Sequence, residues 1–544
     1  MDAFAAWGAT PWGALPTSDT AQSVVTWRIA SAGYTTGQDD DPANTAWSPR
    51  LYGDIEVSQS AVDALGIGGR VAVAVADVEL ADADLIAFGP AAYATADGRP
   101  ATIRVAPVTS PRAGNFGTAL GSATVAFKGV VARVDHTGGQ RARLTLTDTA
   151  DRLATKLQSR LFAGTGGMEG PAEMTNRPVP VCIGRVFNVA PAFVGNHDLG
   201  AGSLPTYIVH SAEVSDITTV RIRGVEQTLV GGTPTVGQAR VFTASGAFQL
   251  GSSPDGAVTA DVEGDVGDAY VDSTGNVLRR LLTDFGPQFT TAEIAGGTFD
   301  LLDNTLPGAI GFYQGPEEIS TAAAIDRILA GCGAIMAGGR DGRVRVVDPL
   351  ATGDAAFSLP APHILSIEPV PLPANLRPPP WAVLVDYAPN GAPTTDFAGS
   401  VTDADRARLS ASVQGPVRAE STAIYGRVAQ RRELRFPGQF AESADALSRA
   451  ESWREFHEGA PRIFRIVTDR YLGQIEVGDL GIIVYPAYGL QYGAGVVVLG
   501  YSEALSARRL TLTLCTLPEG WVTFPAPSEA EGFLDFILDE TGLA

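Results

Sequence analysis

The chain has 544 residues, is 45% hydrophobic and 18% charged, and carries 62 glycines, 36 prolines and a net charge of −21. That is the profile of a folded, turn-rich chain of several domains, which excludes a disordered one. The acidic balance argues against tight nucleic-acid binding and against polybasic membrane docking, both of which need clustered Lys and Arg.

In chain order, residues 1–22 form a candidate docking arm, with Trp7 and Trp12 among Gly, Ala and Pro. Large aromatics in a segment too short to fold alone are anchors for its own body or for a neighbour. Nothing basic precedes Arg28, so no secretory signal is expected, and no run of 18 apolar residues is present to span a membrane. Residues 23–165 read as a first small β-barrel, with strands over Arg70–Ala76, Ala101–Pro107, Ala123–Val134 and Arg141–Thr147. Leu153, Leu157 and Leu161 then repeat at helical spacing and predict a helix over Asp148–Leu161. The Gly-rich run Ala163–Gly170 lacks the Gly-Lys-Ser/Thr ending of a phosphate loop and reads as a connector.

Residues 166–315 read as a β-rich middle domain. Its carboxylates Asp261, Glu263, Asp265, Asp268 and Asp272 lack EF-hand spacing and read as a solvated acidic turn. Residues 316–424 read as an α+β domain. Ser320 caps a helix that Gly331 ends, and the turn Gly338–Gly342 leads into strand Arg343–Val347. Leu372–Pro380 reads as a stiff spacer before strand Trp381–Tyr387. Residues 425–520 read as a helix plus a second barrel. Ala446, Ala450, Trp453 and His457 fall on one stripe of the helix Ser443–His457, where His457 reads as a core-edge residue rather than a ligand. Residues 521–544 form an acidic tail in which Phe533, Leu534, Phe536, Ile537 and Leu538 cluster, the second candidate interface beside Trp7 and Trp12.

No catalytic constellation emerges. His136, His197, His210, His363 and His457 are scattered without metal-ligand spacing, and Cys182, Cys332 and Cys515 form neither a CxxC pair nor a disulfide framework. No enzyme activity, metal or cofactor is expected, and the cysteines suit a reducing compartment.

The pattern that organises the chain is a repeat. GVVARVDHTGGQRARLTLT at 129–147 is echoed by GVVVLGYSEALSARRLTLTL at 495–514; each opens on Gly-Val-Val and reaches Leu-Thr-Leu-Thr 15 residues later. The Leu/Thr alternation is that of a strand with one buried face. A weaker echo precedes each copy, Gly53–Val57 and Gly473–Val477. The expected fold is mainly β and multi-domain: two related small β-barrels, an α+β region and short helices.

The order of ARLTLTDTADRL (142–153), NRPVPVCIGRVFNVAP (176–191), AVTADVEG (257–264), EISTAAAIDRILAGCGAIMAGGRDGRVRVVDPL (318–350) and the closing helix plus barrel resembles the baseplate hub, or tail-tip, proteins of long-tailed, siphovirus-like bacteriophages over about residues 23–520. The resemblance implies a virion protein, made in the host cytoplasm and assembled as a homotrimer. Its two barrels per chain form a ring of six that adapts a three-fold tip to a six-fold tail tube. The implied partners are the distal tail-tube ring, the end of the tape-measure protein, and other baseplate and central-fibre proteins. Genome DNA passes through the ring during ejection without specific binding. Carboxylates are expected on the channel wall, where they repel phosphates. The residues also leave open a glycan-binding or glycan-cleaving tail protein and a receptor-binding adhesin. No lysozyme-like or peptidase insert and no cluster-binding cysteines stand out.

Overall fold

The computed structural model describes residues 2–9, 25–31, 33–63, 66–81, 98–106, 119–138, 140–200, 202–469, 475–507 and 509–523. The architecture is mainly β and multi-domain.

The N-terminal strands β1 (Asp2–Ala9) and β2 (Val25–Ala30) pair with each other. They lead into β3 (Glu56–Ser60), β4 (Val75–Ala81), β5 (Pro100–Ala106), β6 (Thr124–Gly138) and β7 (Arg141–Asp148). These five pair in the order β3-β4-β7-β6-β5, all antiparallel, and β1 adds to the outer edge of β5. The strand expected over Arg70–Ala76 is split, because Arg70–Ala72 leaves to pair with a strand more than 260 residues away, Ile335–Gly338. The helix expected over Asp148–Leu161 is also absent. Only Thr149–Ala154 winds, as a 3₁₀ turn. Beyond it the backbone bonds to other segments, with Leu157 N donating to Ile319 O at 2.9 Å. Leu153, within the 3₁₀ turn, and Leu157, beyond it, are buried as the spacing implied, whereas Leu161 is exposed.

In the middle of the chain, β8 (Val181–Val189), β9 (Val214–Ile222) and β10 (Val258–Asp265) form a sheet with β10 between the other two. The acidic stretch is a solvated turn only in part, at the exposed Asp268. Asp261 and Asp265 lie in β10, where Asp261 takes a bidentate bond from Arg221 at 2.7 Å on each arm, and Asp265 meets His210 at 3.0 Å. Among the described residues no group of His, Cys, Asp and Glu is placed to hold a metal.

Helix α1 (Thr274–Thr283) and helix α2 (Thr321–Cys332) pack in the largest core. Ser320 caps α2 by accepting from Ala323 N, and the helix ends two residues later than expected, at Gly333 in the left-handed region. Strands β11 (Ile335–Gly338) and β12 (Val344–Val347) make the expected hairpin. Next come β13 (Ile364–Val370), β14 (Ala382–Pro389), β15 (Val413–Glu420) and β16 (Glu433–Phe440), the last three forming one sheet. Helix α3 (Ser443–Glu458) buries Ala446, Ala450, Trp453 and His457 against that sheet, as its stripe required. The ring of His457 lies against Trp453 and Phe456, and burial pushes its pKa down to about 3, the state of a core residue.

The chain closes with β17 (Ile463–Thr468), β18 (Leu480–Tyr485), β19 (Leu490–Ala504) and β20 (Arg509–Thr516). They pair with β13 in the order β13-β17-β20-β19-β18, again all antiparallel. This is the topology of the first five strands repeated, with the fifth strand taken from 364–370, far upstream of the rest.

The match extends to single hydrogen bonds. Strands β6 and β19 both have 15 residues, and both carry a bulge against their partner, at Ala132 and at Leu499. Gly98 N donates to Val131 O and Gly478 N to Val498 O, each at 2.8 Å and each from a glycine at positive φ (75° and 93°), where a side chain is strained. Asp148, the last residue of β7, accepts from Ala74 N; Thr516, the last of β20, accepts from Arg462 N in the same place. These bonds set Leu144 and Leu146 equivalent to Leu512 and Leu514, and Gly129 equivalent to Val496. The sequence alignment is therefore shifted by two residues in one strand and by one in the other. The weaker echo does not fall on equivalent positions: Ile55–Val57 enters β3, whereas Ile475–Val477 precedes β18.

Candidate assembly face

Within one chain the two five-strand units are joined. The C-terminal half of β19 pairs with β3, Gly500 opposite Ser60 through Ala504 opposite Glu56, so β13 to β5 run as one continuous sheet. One face of that sheet covers a single core, in which Val57, Val78, Leu144, Ile466, Leu512 and Leu514 from both units lie together. The two related barrels expected from the sequence thus share one core.

The joint is held from below by Arg340, in the β11–β12 turn. Its guanidinium meets Glu503 Oε2 at 2.6 Å and donates to Ile475 O at 3.1 Å and Ala126 O at 3.3 Å, while lying 4.2 Å from the centre of the Tyr501 ring. Both side chains are only 5% exposed. Gln59, on β3, bonds Ala72 O and Gly338 O at 3.0 Å. Two partners of this size in a dry site hold one geometry, since neither tolerates losing the other. Nearby, Asp148 is buried and accepts from Ala74 N at 2.6 Å and Ala150 N at 2.9 Å. Burial pushes its pKa up to about 6, against the pull of those two donors.

The other face of the continuous sheet is exposed. At the joint it forms a groove of about 510 Å³ lined by Ser58, Ser60, Ser502, Thr511 and Thr513 beside Arg465. Across its width this face carries Arg133, Arg141, Arg143, Arg465 and Arg509 against Glu56, Asp77, Glu79, Asp135 and Glu368. Arg143 pairs with Glu79 at 2.9 Å and Arg133 with Asp135 at 2.7 Å.

The sequence-based interface candidates fall elsewhere. Trp7 belongs to β1, whose backbone pairs it with Trp27 on one side and Ala101 on the other. Trp12, Phe533, Leu534, Phe536, Ile537 and Leu538 lie outside the described residues. Arg340 was legible only as part of a turn. Its sole signal is an arginine inside a Gly-Gly-Arg-Asp-Gly run that needs no charge for its geometry. The three cysteines are buried and free, and burial raises the thiol pKa of each. No helix among the described residues is long and apolar enough to cross a membrane.

These elements define the class, a mainly β multi-domain chain built on a repeated five-strand unit. No family model matches it, and no curated protein matches it. Among solved structures it is similar to the 43 kDa tail protein of prophage MuSo2 from Shewanella oneidensis (9% identity, TM-score 0.35, covering 88% of this chain and 96% of that one). It is also similar to a tail protein from Neisseria meningitidis MC58 (8%, 0.38, 91% and 99%). A third likeness is to a chain in the virion of a native gene transfer agent particle (14%, 0.40, 68% and 91%). At these identities and scores the likenesses carry no assignment.

Proposed function

We propose that this protein is a structural hub at the distal end of a bacteriophage-type tail, where three copies close into a ring of six five-strand units around a DNA channel. The observation that carries this is the fused repeat: two equivalent units joined through β19 and β3, while among the described residues the outer side of β13 and the Arg133–Gly138 stretch of β6 take no strand. A contact that repeats head to tail closes into a ring or runs on as a filament. Two units per chain and three chains give six similar units, the number needed to meet a six-fold tube. The order of sequence motifs supports the tail assignment independently of this geometry.

In this arrangement the exposed face of the continuous sheet turns to the channel. The wall is then balanced in charge and rich in hydroxyls, in place of the acidic wall expected from the net charge. Cross-strand pairing such as Arg143 with Glu79 neutralises it locally. A wall without net charge offers phosphates neither strong attraction nor a barrier, which suits passage without retention. Negative-stain images of the purified full chain test the proposal. Six lobes with three-fold symmetry around a central hole are expected; isolated asymmetric particles contradict it.

A further inference from the structure

Among the described residues, strand β13 is a sheet edge of unusual chemistry. At the intrachain joint, the residues of β3 whose backbone faces β19 are the odd-numbered ones, as Leu505 N donating to Ile55 O and Ala61 N donating to Leu499 O show. The pairings of β3 with β4 and of β13 with β17 make Val57 equivalent to Pro369, and by the same register Gln59 equivalent to Pro371. Proline has no N–H. The outward edge of β13 therefore offers carbonyl acceptors at 369 and 371 and no donor at either.

The other edge lies on β6. Its residues 124–130 pair with β5, and Gly98 N donates to Val131 O; from Arg133 to Gly138 β6 has a strand partner only on the β7 side among the described residues. The equivalent stretch of β19, residues 500–504, is the one that takes β3. Unlike β13, this half of β6 keeps every N–H. Beside β13 lies an apolar groove of about 190 Å³ lined by Val370, Leu372, Ile463, Phe464 and Tyr488. Val370, Leu372 and Ile463 are the equivalents of Ser58, Ser60 and Val75, which line one side of the groove at the intrachain joint. The β13 groove has that side and lacks the opposite one.

We infer that Arg133–Gly138 of one copy docks antiparallel on β13 of a second copy, with Asp135 opposite Val370 and His136 opposite Pro369, and that the prolines decide the geometry of assembly. Val134 N and His136 N donate to the carbonyls of Pro371 and Pro369. The return bonds of the intrachain joint are missing, so this contact has fewer backbone bonds and is the seam at which the ring opens. Two β13 edges cannot pair with each other at these positions, since both only accept. A two-fold dimer through β13 loses its bonds at these positions, which favours the head-to-tail contact. The inference rests on the ring reading above and adds its interface. Prolines protect edge strands from indiscriminate pairing; here they leave one chemically matched partner.

The test is oxidative cross-linking of the full chain carrying Asp135→Cys and Val370→Cys, with the mass of the untreated protein measured alongside. The native thiols are buried and contribute little background. A covalent ladder that ends at three chains is expected, and Val370→Cys alone is expected to give none. In a second variant, Pro369→Ala with Pro371→Ala restores the donors. It is expected to dissociate more slowly on dilution and to add β13-to-β13 dimers. A trimer that forms without the cross-link overturns this interface and leaves the ring standing. A chain that stays monomeric throughout overturns both. Dimers from Val370→Cys alone overturn the role assigned to the prolines.

Discussion

Arg340→Ala is expected to destabilise the chain by about 3–5 kcal/mol, the typical consequence of removing one partner from a buried ion pair. The cost comes from what is left behind. Glu503 remains 5% exposed, opposite Val57 at the joint, without the guanidinium it meets at 2.6 Å. Ile475 O and Ala126 O lose a donor at the same time, and Tyr501 loses the cation over its ring. The damage is therefore concentrated where the two units meet. A double variant, Arg340→Met with Glu503→Gln, removes both charges and is expected to recover a large part of the loss. Arg143→Ala, on the exposed face, breaks the pair with Glu79 and is expected to cost far less, since solvent screens an exposed ion pair. Denaturant midpoints for the four chains measure all of this. Equal losses for Arg340→Ala and Arg143→Ala would remove Arg340 from its role at the joint.

The second large effect is a pH dependence set by Asp148. Its carboxyl titrates near pH 6 in the folded chain, against an ordinary value of 3.8. The folded state therefore holds this proton more tightly than the unfolded state does. The stabilisation is complete below pH 4 and is lost as pH rises through 6, a change of about 3 kcal/mol from this one group. Asp148→Asn isolates it. Asparagine does not titrate, and it presents an oxygen to only one of the two N–H groups of Ala74 and Ala150, which gives a pH-independent offset. The gap in stability between the parent and the variant is thus expected to move by about 3 kcal/mol in the variant's favour between pH 4 and pH 7. Parallel curves would show that the carboxyl is not held protonated by burial.

What the sequence made legible was local and periodic. Alternating Leu and Thr marked β7 and β20, Ala446 to His457 marked the buried stripe of α3, and Ser320 marked the start of α2. The repeat was visible, but its register was not. A shift of two residues along a strand leaves every side chain on its own face, so period alone cannot detect it. Gly129 and Gly495, which anchored the alignment, are needed for different reasons: a side chain at Gly129 would strike the carbonyl of Thr147, and one at Gly495 the side chain of Val522.

The joint was illegible because it depends on partners far apart in the chain. Arg340 reaches Glu503 across 163 residues, and β3 meets β19 across more than 400. The fifth strand of the second unit was hidden by its prolines, which directly precede the Pro-rich stretch Leu372–Pro380. Their alternation, Pro369 then Pro371, was nonetheless a signal: a strand that gives up only its outward donors is an edge strand with a chosen neighbour. The misplaced helix after Asp148 shows the converse error, since buried leucines at helical spacing are also reached by a 3₁₀ turn and a chain bonded to its surroundings.

The central claim is that one chain carries two equivalent units so that three chains make six. The direct test is the solution mass of the intact chain by light scattering across a dilution series. A species of three chains that dissociates straight to single chains is the predicted result. A stable dimer, or a monomer at every concentration, would contradict it.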